Sequence, residues 1–173
     1  MKINRVNVIL ISLVLTIFLL FGHHHPARSA ADSSIYEKAQ QAQPIFLKYL
    51  EKIVNIDSQT NDTQGLMQVE NLIIQQLKSL GPEIKTVTAK PNAGNTIVAT
   101  IAGTGRGRIL LLAHTDTVFK QGTVAQRPFK IVNGKAFGPG VMDDKGGILL
   151  GVEALKIIKE TNFTNFETIT FLI

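Results

Sequence analysis

GPGVMDDKGG, residues 138–147, is the stretch on which the reading of this chain turns. Gly138, Pro139 and Gly140 specify a tight, rigid turn, because glycine reaches backbone conformations closed to other residues and proline holds its own φ. Lys145, Gly146 and Gly147 open an amphipathic helix. Ile148, Val152 and Leu155 recur at helical spacing, with Leu149 and Ile158 beside them. Asp143 and Asp144 therefore fall at a helix N-terminus. One aspartate there is explained by capping and the helix dipole. A second, directly after a G-P-G turn, is not. A carboxylate has two oxygens and can bridge two divalent cations. The glycines behind Lys145 let the helix start pack closely against other backbone.

Upstream, residues 108–113 read RILLLA, a short apolar run bounded by Gly107 and polar residues. Such a run predicts a strand buried on both faces. His114, Thr115 and Asp116 follow at its C-terminal end. Strand alternation puts His114 and Asp116 on one side and Thr115 on the other. That pairing suits metal binding, in which the imidazole holds the ion through one nitrogen while the carboxylate takes the other N–H and sets the tautomer. Open α/β sheets also place ligands at the carboxyl ends of strands. H-x-D alone is short and by itself is better read as a solvated pair. Its weight comes from residues 138–147.

Together, AHTDTV and GPGVMDDKGG resemble the zinc exopeptidase family of glutamate carboxypeptidase (carboxypeptidase G), aminoacylase and acetylornithine deacetylase, nearest to the glutamate carboxypeptidase branch. The likeness runs over residues 47–173, through LEKIVNIDSQT, a helix ending KSLG, NTIVATIAG and both motifs in order. The resemblance implies that His114 binds one zinc and that Asp116 supports this histidine in the catalytic site. It implies that Asp143 bridges two zincs and that the peptide after it is cis. The implied fold is α/β: a layered α/β/α catalytic domain with a mixed sheet. The implied cofactor is Zn2+, two per complete site, with cobalt or manganese as alternatives. The implied reaction is hydrolysis of an amide bond next to a C-terminal amino acid, glutamate being the suggested leaving portion. The partner would be a peptide or N-acyl amino acid substrate.

In that family two adjacent glutamates after the next strand supply the general base and another zinc ligand. Later ligands and a lid or dimerisation domain follow. Glu153, Glu160 and Glu167 do not match those positions, and the last strand, ETITFLI, is predicted to be central and apolar with its neighbours absent. The expectation is the N-terminal portion of a metallopeptidase catalytic domain, truncated at its C-terminal side, with homodimers expected only through the missing domain. The alternative is an inactive remnant or a non-catalytic metal-binding envelope protein. Two protein ligands fall short of the three that catalytic zinc ordinarily has, and loss of a general base lowers turnover by about 10²–10⁴.

The remaining sequence fits this frame. Residues 1–31 predict a signal peptide: Lys2 and Arg5, then a 14-residue apolar run at 8–21, then Ser29, Ala30 and Ala31 for cleavage, leaving 32–173. A spanning helix would need about 20 apolar residues. The expected location is secreted or periplasmic, with no stable membrane contact after cleavage; an uncleaved N-terminal anchor is the alternative. The absence of cysteine excludes disulfides and lipid attachment at a cysteine. His23, His24 and His25 lie in the discarded part and are not promoted as ligands. The formal charge is +5; Lys2, Arg5 and Arg28 supply three of it, leaving +2 for the rest, too little to argue for nucleic acid.

Residues 33–55 predict one helix, which Pro44 would kink or restart, and residues from Thr63 a second, stopped by Gly81-Pro82. Residues 57–65 read as a polar loop. Strands are predicted at 84–88, 96–101, 109–113, 130–133, 135–137 and 168–173, with Asn133-Gly134 as a hairpin turn. GTGRG at 103–107 leads into a strand and lacks the Lys-Ser/Thr ending of a phosphate loop, so it reads as a turn.

Overall fold

A computed structural model describes residues 33–88 and 94–173. Residues 1–31, predicted as a signal peptide, lie outside the described residues with their His23–His25 run, and residues 34–173 form one unit. Helix α1, Ser33–Val54, continues through Pro44. Helix α2, Thr63–Lys78, is capped by Asp62, whose carboxylate accepts the Gly65 N–H at 3.1 Å. Strands β1, Glu83–Thr88, and β2, Asn95–Ala102, form an antiparallel pair. Strand β3, Arg108–Leu112, leads to the short helix α3, Thr123–Gln126. The hairpin β4, Lys130–Val132, and β5, Lys135–Phe137, turns at Asn133 and Gly134, both at positive φ. Helix α4, Lys145–Glu160, and strand β6, Thr168–Leu172, complete the chain. Helix α3 falls between the strands predicted at 109–113 and 130–133, where the sequence predicts no element; four residues are too few to show a period.

The main sheet has the order β1-β2-β6-β3, antiparallel except for the parallel β3–β6 pair. It is therefore mixed, as expected. One face is dry. Ile97, Ala99, Ile169, Phe171 and Ile173 meet Leu50, Ile53 and Val54 of α1, Val69, Ile73 and Leu77 of α2, and Ile148, Leu149, Val152 and Leu155 of α4 in one apolar cluster. The period-2 register explains the selection: Ala99 opposes Phe171, and Ile101 opposes Ile169. Among the described residues, the helices supply one of the two helical layers of an α/β/α arrangement. On the other face Leu110 is 60 % exposed and Leu112 66 %.

Two expectations are corrected. β3 is not buried on both faces. It is an edge strand paired with β6 alone among the described residues, and its apolar run packs against the core only at Leu111 and Ala113. An apolar run reports that a strand can be buried, not that its neighbours are in place. Conversely, β6 does not lack neighbours: β2 and β3 flank it on both sides. Both partners precede it in sequence, which strand composition cannot reveal.

Candidate metal centre

The two motifs converge. His114 leaves the C-terminal end of β3, and Asp143 ends the turn before α4. The turn is built by glycine: Gly140 sits at φ +73°, and a Cβ there would lie 2.7 Å from Thr117 Cγ2. A Cβ on Gly146 would run into the Val141 carbonyl oxygen, and one on Gly147 into the Asp144 carboxylate, so the predicted close packing at the helix start is present. Asp144 holds the N-cap position, but its side chain makes no capping hydrogen bond. Capping therefore accounts for neither aspartate. The Asp143–Asp144 peptide is cis, as the resemblance implied.

His114 stands between the two carboxylates. Its Nδ1 lies 3.0 Å from Asp116 Oδ1 and 3.0 Å from the Asp116 carbonyl oxygen. Its Nε2 lies 2.9 Å from Asp143 Oδ1. Burial alone would pull the imidazole pKa down, but hydrogen bonding to Asp143 and then Asp116 outweighs it and raises the pKa above the usual value. Thr115, between His114 and Asp116, is buried, and its carbonyl accepts the Ser58 hydroxyl at 2.9 Å.

These residues suit a divalent cation in kind but are few in number. When Nδ1 carries the proton for the Asp116 acceptors, Nε2 and Asp143 Oδ1 face each other as two lone-pair bearers. At 2.9 Å such a pair needs a proton or a cation between its members. Imidazole and carboxylate ligands, each about 2.0–2.2 Å from one zinc, are themselves about 3 Å apart. The Asp143 side chain is 82 % exposed, which leaves its second oxygen open for another ion. Among the described residues, however, no group of three or more His, Cys, Asp or Glu side chains is gathered as a ligand set. Glu153, Glu160 and Glu167 pair instead with Lys156, Lys38 and Arg108.

The loop between α1 and α2 is the part of the site that sequence reading missed. Thr60 Oγ1 donates to Asp116 Oδ2, and the Thr117 N–H donates to the Ser58 carbonyl at 2.7 Å. Lys145, the lysine of D-D-K, is 1 % exposed and donates from Nζ to the Ile56 carbonyl at 2.6 Å. Its burial lowers the ammonium pKa to about 8, against the opposing pull of the Asp57 charge. Asp57 in turn accepts the N–H groups of Gly122 and Val124 at 2.7 and 3.0 Å. These contacts join residues 56–89 positions apart, and residues 56–60 carry no local periodicity to announce them.

Residues 110–173, which hold both motifs and β6, match the family described as Peptidase family M20/M25/M40. Over these residues the chain is similar to this peptidase family. It is 39 % identical over 145 residues to carboxypeptidase G2 of Pseudomonas sp. (strain RS-16), a match that covers 82 % of this chain and 34 % of that one. It is 34 % identical over 98 residues to acetylornithine deacetylase of Proteus mirabilis (strain HI4320), covering 55 % and 25 %. The fold is similar to that of human carnosine dipeptidase 1, with a TM-score of 0.68 at 20 % identity over 82 % of this chain and 34 % of that one. The chain thus spans about a third of the length of these relatives.

Proposed function

We propose that this chain carries part of the metal centre of a zinc-dependent exopeptidase or amidohydrolase. The substrate class would be a peptide or an N-acyl amino acid cleaved next to a C-terminal residue. One observation carries the reading: His114 Nε2 and Asp143 Oδ1 face each other at 2.9 Å while Asp116 occupies the far side of the imidazole. In this reading His114 and Asp143 hold zinc, and Asp116 sets the imidazole tautomer. A bound cation would supply Lewis-acid chemistry, acidifying water and polarising a carbonyl oxygen. The substrate reading is supported by the relatives, named as a carboxypeptidase and an acetylornithine deacetylase.

A second reading is a metal-binding protein without turnover. It is favoured because, among the described residues, no group of three or more His, Cys, Asp or Glu side chains is gathered that could hold a metal ion. We also propose export through residues 1–31. No helix among the described residues is long and apolar enough to cross a membrane.

The deciding experiment is zinc titration of the purified chain, followed by assay with a glutamyl amide. Zinc binding lost in Asp143→Ala, together with zinc-dependent cleavage, supports the enzyme. Zinc binding without cleavage moves the reading to the non-catalytic alternative, and no zinc binding sinks both.

A further inference from the structure

We propose that Thr60 is a positioning residue of this centre, acting through Asp116 on His114; its consequence for zinc rests on the metal reading above. Asp116 is half-exposed, and a carboxylate turns freely about its last bond, a broad sp³–sp² torsion. For Asp116 to select one imidazole nitrogen, its plane must be held. Oδ1 faces His114 Nδ1, and Oδ2 accepts the Thr60 hydroxyl. The hydroxyl occupies the oxygen that the histidine does not use, which leaves the carboxylate one orientation.

The backbone of Thr60 is fixed independently of that hydroxyl. Its N–H donates to the Thr117 carbonyl at 3.1 Å, and Gln59 forms a parallel bridge with Thr117. The Ser58 hydroxyl holds the Thr115 carbonyl, and Lys145 holds Ile56. The loop would stay attached without the hydroxyl; what the hydroxyl adds is the contact with Asp116. Residues 56–60 thus bind both the H-x-D strand end and the start of α4, the two pieces that deliver His114 and Asp143.

The test compares Thr60→Val, which keeps the shape and removes the donor, with Thr60→Ser, which keeps the donor. Two quantities are read on the whole chain. One is Zn2+ affinity, by competition with a chromophoric chelator. The other, independent of metal, is the NMR resonance of the His114 Nδ1 proton in the metal-free chain. Thr60→Val is expected to weaken zinc binding about tenfold and to broaden that resonance by faster exchange, and Thr60→Ser to restore both. In an Asp116→Asn background, Thr60→Val should add nothing further, because the path runs through Asp116. Wild-type zinc affinity and an unchanged resonance in Thr60→Val would overturn the proposal, as would an additive loss in the double variant. Should Thr60→Val fail to fold, the wild-type chain decides: a slowly exchanging Thr60 hydroxyl proton is expected, and its absence overturns the assignment. A wild type that binds no zinc would remove the metal reading, while the Nδ1 resonance still judges Thr60.

Discussion

Asp143 and Asp116 touch the same imidazole from opposite sides, so their substitutions should differ in kind. Asp143→Ala removes a proposed ligand and should abolish zinc binding by the chain. Asp116→Asn leaves the ligands and should lower zinc affinity about 10–100-fold, the usual scale for a partner of a ligating histidine. Isothermal titration with Zn2+ reads both, and an unchanged stoichiometry in Asp143→Ala would remove the ligand assignment. Glu70 makes a separate case, because it is buried without any catalytic assignment. It is 3 % exposed, and its carboxylate accepts both the backbone N–H and the side-chain amide of Asn95 at 2.9 Å. Glu70→Ala leaves those donors unpaired at the start of β2 and should cost about 1–3 kcal/mol in urea unfolding, with zinc affinity unmoved. His114, Asp116 and Asp143 could be nominated from the sequence because the two motifs that hold them together resemble a known family. Thr60 and Glu70 were not, because threonine in a loop and glutamate in a helix are ordinary until a partner is known.

At the scale of elements, periodicity was a dependable guide where one face of an element meets the core. Helix α2 begins at Thr63 as predicted, and the Asn133-Gly134 turn stands where its chemistry placed it. β3 shows the limit. Its apolar run predicted burial on both faces, yet Ile109, Leu110 and Leu112 are all exposed. This contrast is measurable. Phe171 of β6 is 2 % exposed, and its ring fills the space beside Gly151 of α4. Phe171→Ala should cost about 3–5 kcal/mol. Leu112→Ala, on the uncovered face, should stay within about 0.5 kcal/mol. Chemical denaturation of the two variants checks the pair, and a large loss at Leu112 would show that this face is covered in solution.

For the whole molecule, the proposed ligands are brought together only by folding. His114 and Asp143 lie 29 residues apart and meet because β3 and the turn before α4 are held by the sheet, the helical layer and the loop at 56–60. A cation that binds the folded chain and not the unfolded one stabilises it in proportion to its concentration. At about one hundred times the dissociation constant the gain is about 2.7 kcal/mol. Thermal unfolding should therefore move upward with added Zn2+ and return with a chelator, and Asp143→Ala should show neither shift. A zinc-independent melting temperature in the wild type would contradict the metal centre.

By itself the sequence determined the α/β class and, α3 apart, the element boundaries to within a residue or two, and it carried the family resemblance that nominates His114, Asp116 and Asp143. The class and the boundaries follow from short-range rules: side-chain period and turn chemistry act over a few residues. The tertiary structure alone decided that β6 lies between β2 and β3, that β3 is an edge, and that Ser58, Thr60 and Lys145 brace the two motifs. Those contacts join groups tens of residues apart. Their energy depends on distance and orientation in space, quantities that are set only once the helices close over one face of the sheet.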